Sequence, residues 1–368
     1  MKEMLEIYGK YSMGGGLLTK HANLFSNIDD QEIIEEYKTT IKRDLERAGI
    51  NINELKNFKV LDVGTGRQAI AFHFLGAKKV CHYDISPYQV ENLKRFIELN
   101  SLQSKITTDC ADLVNIQLPK NSFNLVYLHG NVHHFSHTGI GLKNCLSAVK
   151  KGGYLWLHFY RSGTIKHFVI YLLRDLISLL NVDHREYFIN SIILFSDNLL
   201  IDYFTSTLMD NLFASYIHLY TPKSYIAFVQ DCNFEIIFSS KLDPLGTDVD
   251  HKYAYESVIL VCKKNSEKDL NKCNIDILSP EKSINQLNTE IYSANNHKEI
   301  LQTIYAYNSL KAILYADSIP KSFIMTIAFK VLRIIRDYDI NESENNHKYL
   351  QQIFNNSIEI IEKEFKIT

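Results

Sequence analysis

A short apolar strand that runs into a glycine loop constrains the fold of this chain more than any other feature. Residues 59–86 read KVLDVGTGRQAIAFHFLGAKKVCHYDIS, in which the strand is followed by Gly64-Thr65-Gly66, a helix-like segment and a second strand ending at Asp84. This order is typical of nucleotide-cofactor sites, because the loop lets a ligand approach the backbone at the helix N-terminus.

The same alternation of strand and helix continues to the region of residue 160. Apolar strand-like segments at 79–85, 105–110, 124–130 and 153–160 are separated by helix-like segments, and Gly152-Gly153 is predicted to be a tight turn before the last of them. Strands alternating with helices predict an α/β fold, a largely parallel sheet with helices on both faces. Further along, residues 225–264 read as one helix followed by two closing strands.

The chain is predicted to divide into three parts. Residues 1–50 form an N-terminal helical or lid segment, with an amphipathic helix over 29–48. Residues 51–264 form the α/β domain with a helical insert at 162–217, and the shift in composition after Lys264 marks an all-α C-terminal domain at 265–368.

Composition and charge narrow the class of protein. The net charge of −2 does not imply a basic surface for nucleic acid. The N-terminus lacks a signal-peptide pattern, and the most apolar run, 167–182, is interrupted by Arg174 and Asp175, so no membrane span is expected. Six scattered cysteines with no C-x-x-C pair indicate reduced thiols and a cytoplasmic protein.

The acid before the glycine loop bears on which cofactor the loop holds. The pattern Gly64-x-Gly66-x-x-Ala69 also fits the relaxed dinucleotide fingerprint. Asp62, two residues before Gly64, would repel a diphosphate but attract the α-ammonium and sulfonium of S-adenosylmethionine. Asp62 therefore favours S-adenosylmethionine over NAD, whereas Asp84, a strand-end acid suited to ribose hydroxyls, fits either cofactor.

Four successive motifs together resemble a known superfamily. VLDVGTG, HYDISPYQVENLKR, TTDCADLVNIQLPKNSFNLVYLHGNVHHF and SAVKKGGYLWLHFYR are similar to the motifs of class I S-adenosylmethionine-dependent methyltransferases. The similarity is closest to the small-molecule branch that includes ubiquinone/menaquinone-type enzymes, and it covers residues 58–161. It implies a Rossmann-like sheet of seven mostly parallel strands with an antiparallel last strand.

The resemblance also implies cofactor contacts by position. The methionine part would be lined by Asp62, Gly64, Thr65 and Gly66; the ribose would be held by Asp84, Ile85 and Ser86; the adenine would be bordered by Asp109, Cys110 and Ala111; and the reactive methyl would lie near His129 and Gly130. One position departs from the family pattern, because Gln68 stands in the loop where a third glycine is usual.

The segment HGNVHHFSH, residues 129–137, offers candidates for catalysis. Of its four histidines, His133 and His134 are predicted to be active-site residues, because an imidazole titrates near pH ~6.5 and can act as a general base. Packing of the loop is the alternative role for this pair. No metal ligand is assigned, because no carboxylate or thiolate lies at a recognisable spacing from these imidazoles.

Candidate acceptor-binding residues lie elsewhere in the chain. His158, Tyr160 and Arg161 end the fifth strand and are expected to face the crevice at the carboxyl edge of the sheet, where Arg161 either binds an anionic group or caps the following helix. Tyr11 beside a glycine triplet suggests a lid or a flexible tail. Tyr220 closes the aromatic-rich insert, which either forms an acceptor pocket or packs as ordinary core.

Three functions stay open from the sequence. The first is transfer of a methyl group to an O, N, C or S nucleophile of a small, apolar or aromatic molecule. The second is a non-catalytic binding or scaffold protein that retains the cofactor fold and uses its helical C-terminal domain as a partner surface. The third is an RNA or protein methyltransferase. The amphipathic C-terminal helices also leave open a homodimer through helical segments.

Overall fold

The computed structural model describes residues 31–161, 174, 211, 214, 216–240, 257–266, 268–280 and 282. The chain divides into two units, Met1–Ser162 with Phe213–Gln286 and Gly163–Leu212 with Leu287–Thr368. The helices and strands given below belong to the first unit. Tyr11, nearly all of the helical insert and the C-terminal helices lie outside the described residues, and the domain boundaries stay a prediction.

The described part of the chain contains a sheet, helices that pack on it and short 3-10 turns. The strands are β1 Lys59–Val63, β2 Lys79–Asp84, β3 Ile106–Cys110, β4 Phe123–His129, β5 Val149–Tyr160, β6 Phe234–Ser239 and β7 Ser257–Lys264. The helices are α1 Gln31–Arg47, α2 Arg67–Phe74, α3 Pro87–Leu99, α4 Thr138–Ala148 and α5 Pro222–Asp231. The 3-10 turns are Ile52–Asn57, Val132–His134, Leu270–Lys272 and Ile275–Leu278.

The seven strands form one sheet in the order β3-β2-β1-β4-β5-β7-β6. Strands β1 to β5 are parallel to one another, and β7 runs antiparallel between β5 and β6. The predicted fold class, a seven-stranded and mostly parallel sheet with an antiparallel last strand, is confirmed. The tight turn predicted at Gly152-Gly153, before the fifth strand, lies inside β5 as an irregularity, where Gly152 has a φ of +74°. The register with β4 shifts there between Phe123, which pairs with Val149, and Leu125, which pairs with Tyr154.

Alternating side chains of the strands bury two separate cores, one on each face of the sheet. Val60, Leu125 and Tyr127 belong to the core that also contains side chains of α1, α2 and α3. Their strand neighbours Leu61 and Val126 belong to the core that contains side chains of α4 and α5. Since successive strand residues point to opposite faces, this division places helices on both faces of the sheet.

The topology places the functional motifs at one edge of the sheet. Strands β1 and β4 are neighbours, although β2 follows β1 in the chain and lies on its other side. The chain therefore leaves β1 in one direction and β4 in the other, which opens a crevice at the carboxyl ends of these strands. The glycine loop after β1 and the histidine segment after β4 both lie at this crevice.

Candidate active site

The loop between β1 and α2 has a backbone shape that requires glycine. Gly64 has a φ of +138° and Gly66 a φ of +85°, both in the region that side-chain-bearing residues rarely adopt. A Cβ at Gly66 would lie 3.0 Å from Cδ2 of Leu93 on α3. The loop is thus closed tightly against α3, and α2 begins directly after it at Arg67.

Two side chains that the sequence did not single out hold this loop. His82 on β2 approaches the carbonyl oxygen of Gly64 with its Nε2 at 2.5 Å and the hydroxyl of Thr108 with its Nδ1 at 2.7 Å. From the β4 side, Nδ2 of Asn131 donates to the carbonyl oxygen of Val63. Both residues stand inside segments recognised as motifs, HYDIS and HGNV, but nothing in their local spacing marks them as loop contacts.

Asp62 is a buried carboxylate directly before the loop. It is fully buried, and neither of its oxygens makes a hydrogen bond of normal geometry. Burial, and to a smaller degree the charge of Asp84, raises the pKa of Asp62 to about 8, although the backbone N–H groups of Ala69 and Val63 oppose this shift. A carboxyl group in this environment is ready to receive a cation, since a nearby positive charge favours its ionised form.

Further polar atoms around the loop are buried and have no hydrogen-bond partner within the protein. They are Oγ1 of Thr65, Oε1 of Gln68, Oγ of Ser86 and Oδ1 of Asn131. Buried polar atoms are normally satisfied, so a group of unsatisfied ones indicates a ligand or water that completes them. With Asp62 they are mostly acceptors, which fits a ligand with several donors, such as the ammonium and hydroxyl groups of S-adenosylmethionine.

The ends of β2 and β3 lie side by side next to the loop. Oδ1 of Asp84 accepts a hydrogen bond from the backbone N–H of Ser86 at 2.6 Å, and the carbonyl of Asp84 accepts one from Ala111 at 2.9 Å. Ile85 is 42% exposed, and Asp109 and Cys110 are also exposed. The predicted ribose and adenine residues are therefore neighbours, and several remain open to solvent.

A pair of neutral imidazoles follows at the ends of β4 and β5. The rings of His129 and His158 are 4.4 Å apart, and the N–H of Gly130 donates to the carbonyl of His158 at 3.1 Å. Burial lowers the pKa of His129 to about 4. Burial, together with His129, holds the pKa of His158 well below its usual value. Both rings are therefore uncharged near neutral pH.

The two predicted catalytic histidines are held differently. His133 is fully buried, its Nδ1 accepts the backbone N–H of Tyr160 at 3.4 Å, and its ring stacks on that of Tyr160 at 4.1 Å. His134 is partly exposed although its Nε2 is itself buried, and its Nδ1 lies 2.9 Å from the carbonyl oxygen of Tyr216, which can only accept. In neutral His134 the proton therefore sits on Nδ1, and Nε2 carries the lone pair.

The candidate acceptor-binding residues are only partly brought together. Arg161 pairs with Tyr220 as an isolated bridge beside the end of β5. Tyr160 and Arg161 are partly exposed, whereas His158 is 5% exposed. Tyr220 is fully buried, and its hydroxyl donates to the carbonyl of Leu278 at 2.9 Å. The hydroxyl of Tyr220 is thus used within the core.

Within the described ranges, no three His, Cys, Asp or Glu side chains are grouped so that they could hold a metal ion. All six cysteines are free thiols. Of the helices that the structure describes, none has the length and apolar character needed to cross a bilayer.

Comparison with known proteins bears on the class of this fold. Residues 61–157 match the family model described as a methyltransferase domain. No curated protein matches the chain significantly.

Several solved structures are similar to part of this chain at low sequence identity. An S-adenosylmethionine-dependent methyltransferase from Mesorhizobium loti is 16% identical over 56% of this chain and 90% of its own, with a TM-score of 0.37. The YcgJ protein of Bacillus subtilis is 13% identical over 57% and 93%, with a TM-score of 0.36. The [4+2]-cyclase SpnF is 15% identical over 57% and 75%, with a TM-score of 0.37.

The sheet order, the glycine loop and the family match define a class of domain, a Rossmann-like methyltransferase fold. More particularly, residues 61–157 match a methyltransferase domain, for which S-adenosylmethionine is the implied methyl donor. The resemblance to this superfamily is thereby confirmed, whereas membership of the small-molecule branch stays a prediction.

Proposed function

We propose that this protein is an active methyltransferase that moves the methyl group of S-adenosylmethionine to an O, N, C or S nucleophile of a small molecule. The observation that carries the proposal is the acceptor-rich glycine loop around the buried Asp62. Ionised Asp62 repels a diphosphate and attracts an ammonium group, and a bound ammonium group favours this ionised form over the protonated one. The cofactor supplies an electrophilic methyl group on its sulfonium.

In this proposal the glycine loop and strand ends bind and orient the cofactor. Asp62, Gly64, Thr65 and Gly66 receive the methionine part, to which we add Gln68 and Asn131 because their side-chain oxygens are buried and unsatisfied. Gln68 therefore need not mark a degenerate loop. The ribose is assigned to Asp84, Ile85 and Ser86, and the adenine to Asp109, Cys110 and Ala111, from their position at the ends of β2 and β3.

We assign the role of general base to His134. Its Nδ1 proton is directed at the carbonyl of Tyr216, so Nε2 of the neutral ring is the nitrogen that can accept a proton. His133 is better suited to hold the loop, because its Nδ1 lone pair already accepts the N–H of Tyr160. His129 and Gly130 border the methyl group.

The acceptor is expected beyond the ends of β4 and β5. His158, Tyr160 and Arg161 follow one another there, and the neutral His129–His158 pair contributes no charge near pH 7. The part of the acceptor beside the His129–His158 pair should therefore be uncharged. Arg161, which follows the end of β5, could bind an anionic group on another part of the acceptor. We leave Tyr220 out of the acceptor site, because its hydroxyl is bonded within the core. Tyr11 stays a prediction from the sequence.

Calorimetric titration of the purified protein with S-adenosylmethionine, S-adenosylhomocysteine and NAD tests the cofactor site. We expect micromolar binding of the two adenosyl-sulfur ligands and none of NAD. Methyl transfer is then sought by mass spectrometry across a library of small nucleophiles, including phenols, amines and thiols. Failure to bind either adenosyl-sulfur ligand would contradict the site, and binding without transfer to any acceptor would favour the non-catalytic scaffold.

A further inference from the structure

Gly64 is attached to β2 through both polar groups of its backbone. Its N–H donates to the carbonyl of Tyr83 at 3.2 Å, and its carbonyl oxygen lies 2.5 Å from Nε2 of His82. A carbonyl oxygen can only accept, so Nε2 of His82 must be the donor. The peptide of Gly64 is thereby fixed at φ +138°, a conformation that glycine adopts freely and that shapes the loop.

The carbonyl of Gly64 sets the tautomer of His82, and the second ring nitrogen finds a partner that fits this tautomer. His82 is 1% exposed, and burial lowers its pKa to about 4, so the ring is neutral near pH 7. With its proton on Nε2, the ring must accept at Nδ1, where the hydroxyl of Thr108 lies 2.7 Å away and can donate. Thr108 on β3 thus satisfies Nδ1 of His82 while Nε2 donates to Gly64.

This chain of contacts joins the three strand ends assigned to the cofactor. Gly64 follows β1, His82 stands two residues before Asp84 on β2, and Thr108 directly precedes Asp109 on β3. The link is entirely buried at His82, and a buried, fully satisfied network rigidifies its surroundings. Replacing His82 should therefore first change the conformation of the glycine loop.

We propose that His82 is a positioning residue for the methyltransferase site, which holds the Gly64 peptide in the shape that receives the methionine part of the cofactor. The inference rests on the proposed function, and it assigns His82 no contact with the ligand. Without His82, binding would have to order a loop that is now ordered in advance, and that cost would appear as lost affinity.

The test compares two ligands that differ in the part the loop receives. S-Adenosylhomocysteine carries the amino-acid group, whereas 5′-methylthioadenosine has the same adenosine and sulfur without it. We expect His82→Phe to weaken binding of S-adenosylhomocysteine by about 10- to 100-fold and that of 5′-methylthioadenosine by less than about threefold. His82→Gln retains an amide N–H that can reach Gly64, and it should recover most of the loss.

Thr108 provides a milder pair of variants should His82→Phe fail to fold. Thr108→Val removes the hydroxyl at nearly constant volume and should selectively weaken S-adenosylhomocysteine by about 3- to 10-fold, whereas Thr108→Ser should bind as the wild type does. Unchanged binding in these variants, or an equal loss for both ligands, would reduce His82 to a structural residue. Failure of the wild-type protein to bind S-adenosylhomocysteine would instead count against the proposed function.

Discussion

His133 and His134 are adjacent in the chain, with ring centroids 4.2 Å apart, yet their Nδ1 atoms have opposite roles. Nδ1 of His133 accepts a backbone N–H from Tyr160, and Nδ1 of His134 faces the carbonyl oxygen of Tyr216. Two identical side chains are therefore held in different tautomers. This difference supports a base role for His134 and a loop-holding role for His133.

Replacing His134 with alanine should slow methyl transfer far more than it weakens cofactor binding. A positioned general base typically contributes about 10²- to 10⁴-fold, so we expect a loss of at least 100-fold in kcat for an oxygen or carbon acceptor. Turnover is followed by mass spectrometry, and affinity for S-adenosylhomocysteine by calorimetry. For comparison, His133→Ala should lower the thermal midpoint because it empties a buried site. Equal turnover in His134→Ala and wild type would make the pair structural.

Replacing Asp84 with alanine should abolish cofactor binding without unfolding the protein. A matched control is Asp112→Ala, since Oδ1 of Asp112 accepts the N–H of Val114 at 2.9 Å much as Asp84 accepts that of Ser86 at 2.6 Å. Both substitutions remove the same kind of hydrogen bond within a turn. Only Asp84→Ala also removes the carboxylate that is proposed to bind the ribose. Calorimetry with S-adenosylhomocysteine measures the difference. Similar affinities in the two variants would remove the ribose assignment.

Replacing Gly64 with alanine should destroy the cofactor site through the backbone. At φ +138° any Cβ is strained, and here it would also lie 3.4 Å from Nδ2 of Asn131. We expect a loss of about 1–3 kcal/mol in unfolding free energy and at least a tenfold loss of affinity. Gly152→Ala, at φ +74° with open space around the new Cβ, should cost about 1–2 kcal/mol without changing affinity. Chemical denaturation and calorimetry separate the two effects.

Cofactor binding should release a proton at Asp62. Its pKa of about 8 in the ligand-free protein means that it is mostly protonated at pH 7, and a bound ammonium group favours the ionised form. Affinity should therefore rise by up to about tenfold per pH unit between pH 6 and 7.5, before the ligand's own amino group titrates near pH 7.7–8.0. Calorimetry in phosphate and Tris buffers counts the protons released. Asp62→Asn should show neither the rise nor the release.

The same carboxyl group should make the ligand-free protein less stable as the pH rises. The pKa of Asp62 is raised in the folded state, from 3.8 to about 8, so the folded state holds the proton more tightly. Stability from this group is full below pH ~4 and falls as the pH rises towards 8. The side chain of Asp62→Asn stays neutral at every pH. The stability of this variant relative to wild type should therefore be greatest at pH 8 and least at pH 5, and each kcal/mol of difference should shift Tm by about 2–4 °C. A gain that does not depend on pH would contradict this assignment.

The sequence by itself determined the order of strands and helices, the glycine loop and the strand-end acids. These features are local, because the apolar period separates strand from helix and a glycine pair marks a loop within a few residues. The parallel order then placed Asp62, Asp84 and Asp109 at one edge, since the carboxyl ends of parallel strands meet there. The turn at Gly152-Gly153 was placed before the fifth strand, whereas the structure has it as an irregularity within that strand, since glycine in a strand marks a bulge as readily as a turn.

Only the tertiary structure decided which side chains hold the loop and which histidine can accept a proton. His82 meets Thr108 across 26 residues, Asn131 meets Val63 across 68, and His134 meets Tyr216 across 82. No pattern in a sequence encodes a pairing at such distances, because it depends on how strands are ordered and in what register they meet. The local sequence therefore determines the type of site, whereas the shape of the site and the positions of its protons depend on contacts between distant segments.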